Sequence, residues 1–293
     1  MAEHTPENTA KIAWVYPGQG SQSIGMANHL LEVGQAKFAQ AQEILGWSVV
    51  DMCNSSIDTL SQTQFTQPCL YTISAILTDQ LKQEGQMPHL VAGHSLGEYS
   101  ALYCAGVWDF ADGLELVKQR AQLMSQAQGG KMTALIGFDR AQLEAIVAQE
   151  PEVVIANDNS PEQVVISGTE SAVDRVVSQI KVKRAIPLPV SGAFHSPMMQ
   201  EAQAQLAVRI AQAPWRAPQM PVLLNSDPHT PLTDPHTLCH RLQHQITAPV
   251  RWREISLYLA QQGFTKAIEV GPGKVLTGLI KRTAPAIELV NVN

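Results

Sequence analysis

The sequence predicts an α/β protein with a mainly parallel sheet and a smaller βαββαβ unit inserted into it. Two observations carry this reading. Short apolar runs closed by glycine or proline alternate with longer helical patterns. Strands separated by helices imply crossovers that cover both faces of a parallel sheet. From 131 to 190 the rhythm changes to a split-βαβ, ferredoxin-like order.

Residues 1–10 read as a polar leader. Ile12 to Tyr16 is a short apolar strand entering a tight turn at Pro17-Gly18. A helix is predicted over Pro68–Gln83, a strand over Leu90–Gly93, a helix from near Glu98 and another over Asp112–Ala127. The inserted unit reads strand Met132–Phe138, helix Arg140–Gln149, strand Val153–Ala156, strand Gln163–Ser167, helix Glu170–Ile180 and strand Arg184–Val190. Asn157-Asp158-Asn159-Ser160-Pro161 has the composition of the turn between its middle strands. Gly129-Gly130 and Ser191-Gly192 bracket the unit as joints. A similar strand run, Ala267–Val270, precedes Gly271-Pro272-Gly273. The expected division is a discontinuous large lobe, 11–128 with 193–293, and a small lobe, 129–192.

Composition limits the function. A chain of 293 residues, 45% hydrophobic and 16% charged, can bury a large core without disulfides or a structural metal. A net charge of −6 argues against a nucleic-acid partner. Cys53, Cys69, Cys104 and Cys239 form no CxxC pair and read as thiols of a reducing compartment. The start of the chain has no apolar signal core, and no apolar run approaches the ~18 residues of a membrane span. The expected location is cytoplasmic, with no membrane partner.

Gly93-His94-Ser95-Leu96-Gly97 matches G-x-S-x-G between a predicted strand and a predicted helix. Such a turn presents the serine hydroxyl, and the backbone N–H that follows can face an oxyanion. Ser95 is therefore the candidate nucleophile, against the alternative of a solvated serine in a glycine-rich turn. It needs a base. His94 should diverge from its neighbour on so tight a turn, which leaves His195, on the return from the small lobe, as the better candidate. Arg120, in Lys118-Gln119-Arg120, is either a solvated helix residue or a bidentate clamp for a substrate carboxylate.

Three other patterns are weaker. Pro17-Gly18-Gln19-Gly20-Ser21-Gln22 begins like a dinucleotide loop, but Ser23 stands where a third glycine belongs. The alternative places its N–H groups and Gln19 near Ser95. His236, His240 and His244 share a helical spacing without a metal-site pattern, and a polar helix face is the better reading. Gly271-Pro272-Gly273-Lys274 lacks full P-loop spacing and reads as a strand-to-helix turn.

Together, YPGQGSQSIGM at 16–26, GHSLGEYSAL at 93–102, QR at 119–120, GAFHSPMM at 192–199 and EVGPGKVLTGL at 269–279 resemble the malonyl-CoA:acyl carrier protein transacylase family. The resemblance runs from about residue 12 to 282. It implies an α/β-hydrolase-like large lobe with a ferredoxin-like insert, and an acyltransferase that moves malonyl from malonyl-CoA to acyl carrier protein through a malonyl-serine ester. It implies Ser95 as nucleophile, His195 as base, and the Gln19 and Leu96 N–H groups as the oxyanion hole. Arg120 would bind the malonyl carboxylate, and the Gln245 backbone carbonyl would orient His195 in place of a carboxylate. The residue before the histidine, Phe194, follows malonyl-type rather than methylmalonyl-type members, which typically have serine there.

No cofactor is expected, since coenzyme A and phosphopantetheine enter as parts of substrates. A monomer is expected. Carriers of this family are acidic, so docking on an acidic enzyme needs a local basic patch, either Lys181, Lys183 and Arg184 or Lys274, Lys281 and Arg282. Three alternatives remain open at this stage: a serine hydrolase sharing the elbow, a non-catalytic carrier-binding subunit, and an acyltransferase of polyketide synthesis.

Overall fold

The computed structural model describes residues 10–293, so the leader read over 1–10 lies, apart from Ala10, outside the described residues. Two sheets organise these residues. The larger has six strands: β1 (Lys11–Tyr16), β2 (Leu90–Gly93), β7 (Val222–Leu224), β8 (Asp227–Leu232), β9 (Phe264–Val270) and β10 (Glu288–Val292). Their order is β10-β9-β1-β2-β7-β8, parallel except for the β7–β8 pair. β1 sits at its centre, with Ala13 beside Leu90 and Ala267, and Tyr16 beside Gly93.

β1 is buried on both faces, as a parallel strand under helices must be. Trp14 and Tyr16 pack into the main core with the helices Thr63–Gln83, Gly97–Cys104 and Phe110–Gln126. Ala13 and Val15 face a second core with Trp252, Ile255, Leu276 and Ile280 from the helices Trp252–Gln261 and Val275–Thr283. Among the described residues, no helix is long and apolar enough to cross a membrane.

The smaller sheet is antiparallel, in the order β4-β5-β3-β6, from β3 (Lys131–Phe138), β4 (Val153–Ser160), β5 (Gln163–Gly168) and β6 (Val182–Pro187). Alternation along β3 separates its two faces. Leu135 joins a core with Leu143 and Val173 from the unit's own helices, while Met132 and Ala134 join the main core. Gly129 and Gly192 form a parallel bridge where the chain enters and leaves.

Several expected boundaries shift. The turn placed at Asn157–Pro161 is strand as far as Ser160, and the reversal falls at Pro161-Glu162. Its residues make contacts both within the small sheet's unit and beyond it. Asp158 N–H donates to Val250 O and Val250 N–H to Ala156 O, at 2.9 and 2.8 Å. The Asp158 carboxylate accepts from Arg140 and Arg253, each at 2.9 Å. The last strand of the unit runs over Val182–Pro187 rather than Arg184–Val190. The helix expected from Pro68 starts five residues earlier, at Thr63, and carries Pro68 inside it.

The turn after β9 has its own ligand. Glu269, fully buried, accepts the N–H groups of Leu276 and Thr277 at 3.0 and 2.7 Å, so a carboxylate of the chain occupies the helix N-terminus there.

Close backbone packing beneath the β2 turn makes two glycines indispensable. A Cβ on Gly97 would lie 2.0 Å from Tyr16 O, and one on Gly93 1.9 Å from Gly97 C. Gly278, in the last helix, has nothing within 4 Å of such a Cβ. Urea denaturation should therefore show Gly97→Ala destabilised by about 3 kcal/mol or more. Gly278→Ala should gain about 0.5–1 kcal/mol from helix propensity. Equal effects would contradict the packing described.

Candidate active site

The site is assembled where β2 ends. Ser95 adopts φ +53°, in the left-handed region where a side chain is strained. The glycines on either side let the turn close against β1. Asn225, just after β7, holds the turn: its Oδ1 accepts Ser95 N–H at 2.8 Å and its Nδ2 donates to Gly93 O at 2.6 Å.

Ser95 Oγ lies 2.7 Å from His195 Nε2, although the two residues are 100 positions apart. His195 also has a left-handed backbone, φ +56°, and its N–H donates to Ile246 O at 3.0 Å. Its Nδ1 faces two carbonyls, Gln245 O at 3.1 Å and Ala248 O at 2.9 Å. A neutral imidazole donates from Nδ1 there and leaves Nε2 free to accept the serine proton. Burial, followed by the nearby Arg120 charge, pushes the imidazole down to about 3. His94 turns to a different partner, with Nε2 2.8 Å from Asn159 Oδ1 on β4.

Arg120 reaches the serine from the helix Phe110–Gln126. Its guanidinium is 1% exposed, over the face of Tyr99, and Nη2 donates to Ser95 Oγ at 2.9 Å. Nη1 donates to Gln67 Oε1 at 2.7 Å. Nε and Nη2 donate to Gln245 Oε1 at 3.3 and 3.1 Å. Every acceptor given to it among the described residues is neutral. Burial lowers its pKa, yet arginine stays charged in proteins. The arrangement is a buried cation held by neutral oxygens.

Behind the turn lies Glu98, also 1% exposed. It accepts from Asn225 N–H and, at 2.7 Å, from Gln245 Nε2. Burial pushes its carboxyl up to about 7.

Gln19, Gln67, Ser95, Leu96, Arg120, Asn157 and His195 line one cavity of about 90 Å³, with Met132, Leu188, Val190 and Phe194 as its apolar walls. Gln19 is steered by a bond from Nε2 to Thr63 Oγ1 at 3.2 Å. The buried Asn157 Oδ1 has no hydrogen-bond partner among the described residues. A second, larger hollow of about 580 Å³ shares Val190 and is bordered by Ile57–Gln64 and Pro189–Ser191.

All six candidates from the sequence thus meet here: Ser95, His195, Arg120, Gln19, Leu96 and Gln245. Gln67, Glu98, Asn225, Ala248 and Asn157 were not singled out. Gln67 fell outside the helix as predicted, and Asn225 lies in no motif. Glu98 stood inside GHSLGEYSAL, the one signal that could have marked it. Elsewhere, the His240 and His244 rings lie 4.9 Å apart on the helix Pro235–Gln243 and its cap, away from this cavity's lining.

A serine activated by a neutral histidine, beside a fixed buried cation, can form and break an acyl ester whose acyl group carries a carboxylate. Residues 13–291 match the acyl transferase domain family. The malonyl CoA-acyl carrier protein transacylase of Synechocystis sp. is 52% identical, over 96% of this chain and 97% of that protein. Its crystal structure superposes with a TM-score of 0.94 at the same coverage. A type II PKS malonyl-transacylase solved in complex with its acyl-carrier protein is 37% identical, with a TM-score of 0.91, over 97% of this chain and 96% of that one. The polyketide biosynthesis malonyl CoA-acyl carrier protein transacylase of Bacillus subtilis is 38% identical, over 92% of this chain and 96% of that protein. The chain belongs to the malonyl CoA-acyl carrier protein transacylase family of acyl transferases.

Proposed function

We propose that this protein transfers malonyl from malonyl-CoA to the phosphopantetheine thiol of acyl carrier protein, supplying extender units for fatty acid synthesis. One observation carries the reading: Ser95 Oγ sits between His195 Nε2 at 2.7 Å and the buried Arg120 Nη2 at 2.9 Å.

In the first half-reaction Ser95 Oγ attacks the thioester carbonyl and His195 Nε2 takes its proton. The Gln19 and Leu96 N–H groups hold the oxyanion, a contribution typically of about 3 kcal/mol per donor. The C–S bond breaks, coenzyme A leaves with the proton from His195, and a malonyl-serine ester remains. In the second half the carrier thiol attacks the ester as His195 takes its proton; the ester C–O bond breaks, and Ser95 Oγ leaves with that proton from His195. The Gln245 and Ala248 carbonyls fix the imidazole where a triad would use a carboxylate. Arg120 pairs with the free carboxylate of malonyl. An acetyl group would leave that buried charge without its partner.

The same reading covers the rest of the molecule. The large sheet with its serine turn is an α/β-hydrolase-like lobe, 11–128 with 193–293, and 129–192 is a ferredoxin-like insert. Its strand order and the Gly129–Gly192 bridge support that division. Coenzyme A and phosphopantetheine come as parts of substrates, with no resident cofactor. The protein works in the cytoplasm as a monomer, without membrane or nucleic-acid partners. An acidic carrier docks on exposed cations, Lys181, Lys183 and Arg184 on β6 or Lys274, Lys281 and Arg282 around the last helix. Supply of polyketide synthesis is the second reading, supported by the polyketide-type relatives.

Intact mass after brief exposure to malonyl-CoA tests the core of this. One malonyl group on Ser95, and none from acetyl-CoA, is the expected result. Free malonate without an adduct would make the protein a hydrolase, and intact malonyl-CoA without an adduct a non-catalytic binding subunit.

Arg120→Ala should lower malonyl transfer to Ser95 by about 100-fold or more while acetyl transfer rises. Competition between the two thioesters reads this directly, and an unchanged preference would remove Arg120 from selection.

The pH dependence has a definite sign. A histidine pushed below its usual value of about 6.5 stays neutral, and so basic, as the solution turns acid. Sulfonylation of Ser95 by phenylmethanesulfonyl fluoride should show no acid limb near pH 6.5. Arg120→Gln removes a cation that pushes His195 down, so its limb should move up toward neutral pH. A wild-type limb at the ordinary histidine value would refute the neutral buried base.

A further inference from the structure

We propose that Glu98 is a positioning residue for acyl selection, acting on the Arg120 guanidinium through the side-chain amide of Gln245. This rests on the reading of Arg120 as the partner of the malonyl carboxylate.

A side-chain amide has a donor end and an acceptor end, whereas a carboxylate only accepts. Gln245 is buried between Glu98 and Arg120. Its Nε2 donates to Glu98 Oε2 at 2.7 Å and to Ser95 O at 2.7 Å, which uses both amide hydrogens. The acceptor end must then face the other way. There Oε1 takes Arg120 Nε at 3.3 Å and Nη2 at 3.1 Å. A reversed amide would set its NH₂ against the guanidinium N–H groups and its oxygen against the carboxylate, two unfavourable contacts in a buried site.

Glu98 is itself fixed, since its other oxygen accepts Asn225 N–H. With Gln67 holding Nη1 at 2.7 Å, the guanidinium is gripped from two sides and presents its remaining edge to Ser95 and the cavity. Glu98 also places one negative charge a single amide away from a buried cation whose direct acceptors are all neutral. It therefore steadies Arg120 without occupying the edge an incoming carboxylate needs.

Glu98→Gln tests this at pH 8, above the carboxyl's titration near 7. The neutral amide can still accept from Asn225 N–H while presenting NH₂ to Gln245, which invites the reversed arrangement. Rates of Ser95 acylation by malonyl-CoA and acetyl-CoA are followed by intact mass, and the turn is checked separately by phenylmethanesulfonyl fluoride. The malonyl-to-acetyl ratio should fall by about tenfold or more, while sulfonylation changes by less than about threefold. In an Arg120→Ala background Glu98→Gln should not change the ratio further, because its effect runs through the guanidinium.

An unchanged ratio, a further fall in the Arg120→Ala background, or a parallel loss of all three reactions would overturn the proposal. The last would make Glu98 a support of the serine turn alone. An unchanged ratio in Arg120→Ala itself would overturn the clamp reading, a result separable from failure of Glu98→Gln only. If Glu98→Gln does not accumulate as folded protein, Gln245→Met cuts the same relay from its other end. The same fall in ratio is expected there, and a wild-type ratio would refute the relay.

Discussion

The structure depends on how the chain turns at Ser95. A left-handed backbone at a residue with a side chain costs about 1–2 kcal/mol, and the surroundings must impose it. Gly93 and Gly97 make room, because neither can carry a Cβ without striking backbone. Asn225 then holds the turn from both sides, accepting Ser95 N–H and donating to Gly93 O. β7 belongs to this device as much as β2, since it delivers Asn225. His195 meets Ser95 from a second left-handed residue, whose N–H is anchored on Ile246. Ser95 and His195, whose side chains meet at the centre of the site, are thus both set by strained backbone held in place by distant parts of the chain.

Electrostatics follows from that geometry. A buried arginine surrounded only by neutral oxygens is costly unless its hydrogen bonds are made, and three side chains supply them. Burial, followed by the same cation, discourages a proton on His195, so the imidazole rests neutral. Two backbone carbonyls orient its Nδ1, which provides direction without a second buried carboxylate close to the guanidinium. Glu98, the acid that is present, stands behind Gln245 instead of touching Arg120.

Much of the plan was legible in the residue order, and for physical reasons. Apolar runs broken by glycine mark buried strands, so β1, β2 and β9 could be read at Ile12, Leu90 and Ala267. The serine turn was legible because a tight backbone path demands glycine at two fixed positions. Asn157–Ser160 misled for the opposite reason: polar residues usually signal a turn, but here Asp158 and Asn159 are consumed by Arg140, Arg253, His94 and Val250. Gln67 and Asn225 could not be read at all. A lone amide side chain has no period or spacing, and its role exists only once the fold delivers a partner.

The strand order has a consequence for how the chain is made. β1 precedes the other five strands of its sheet in the chain, yet its place is in the middle of that sheet, and one of its two neighbours, β9, is not made until Phe264–Val270. Until then one side of an apolar strand has no permanent partner, which invites pairing with the wrong chain. The small sheet is different. All four of its strands lie between Lys131 and Pro187, and the chain leaves it beside the point of entry. It can close on the ribosome while the larger sheet still waits for its edge, so β9 and β10 reach a nascent chain whose small sheet is already complete.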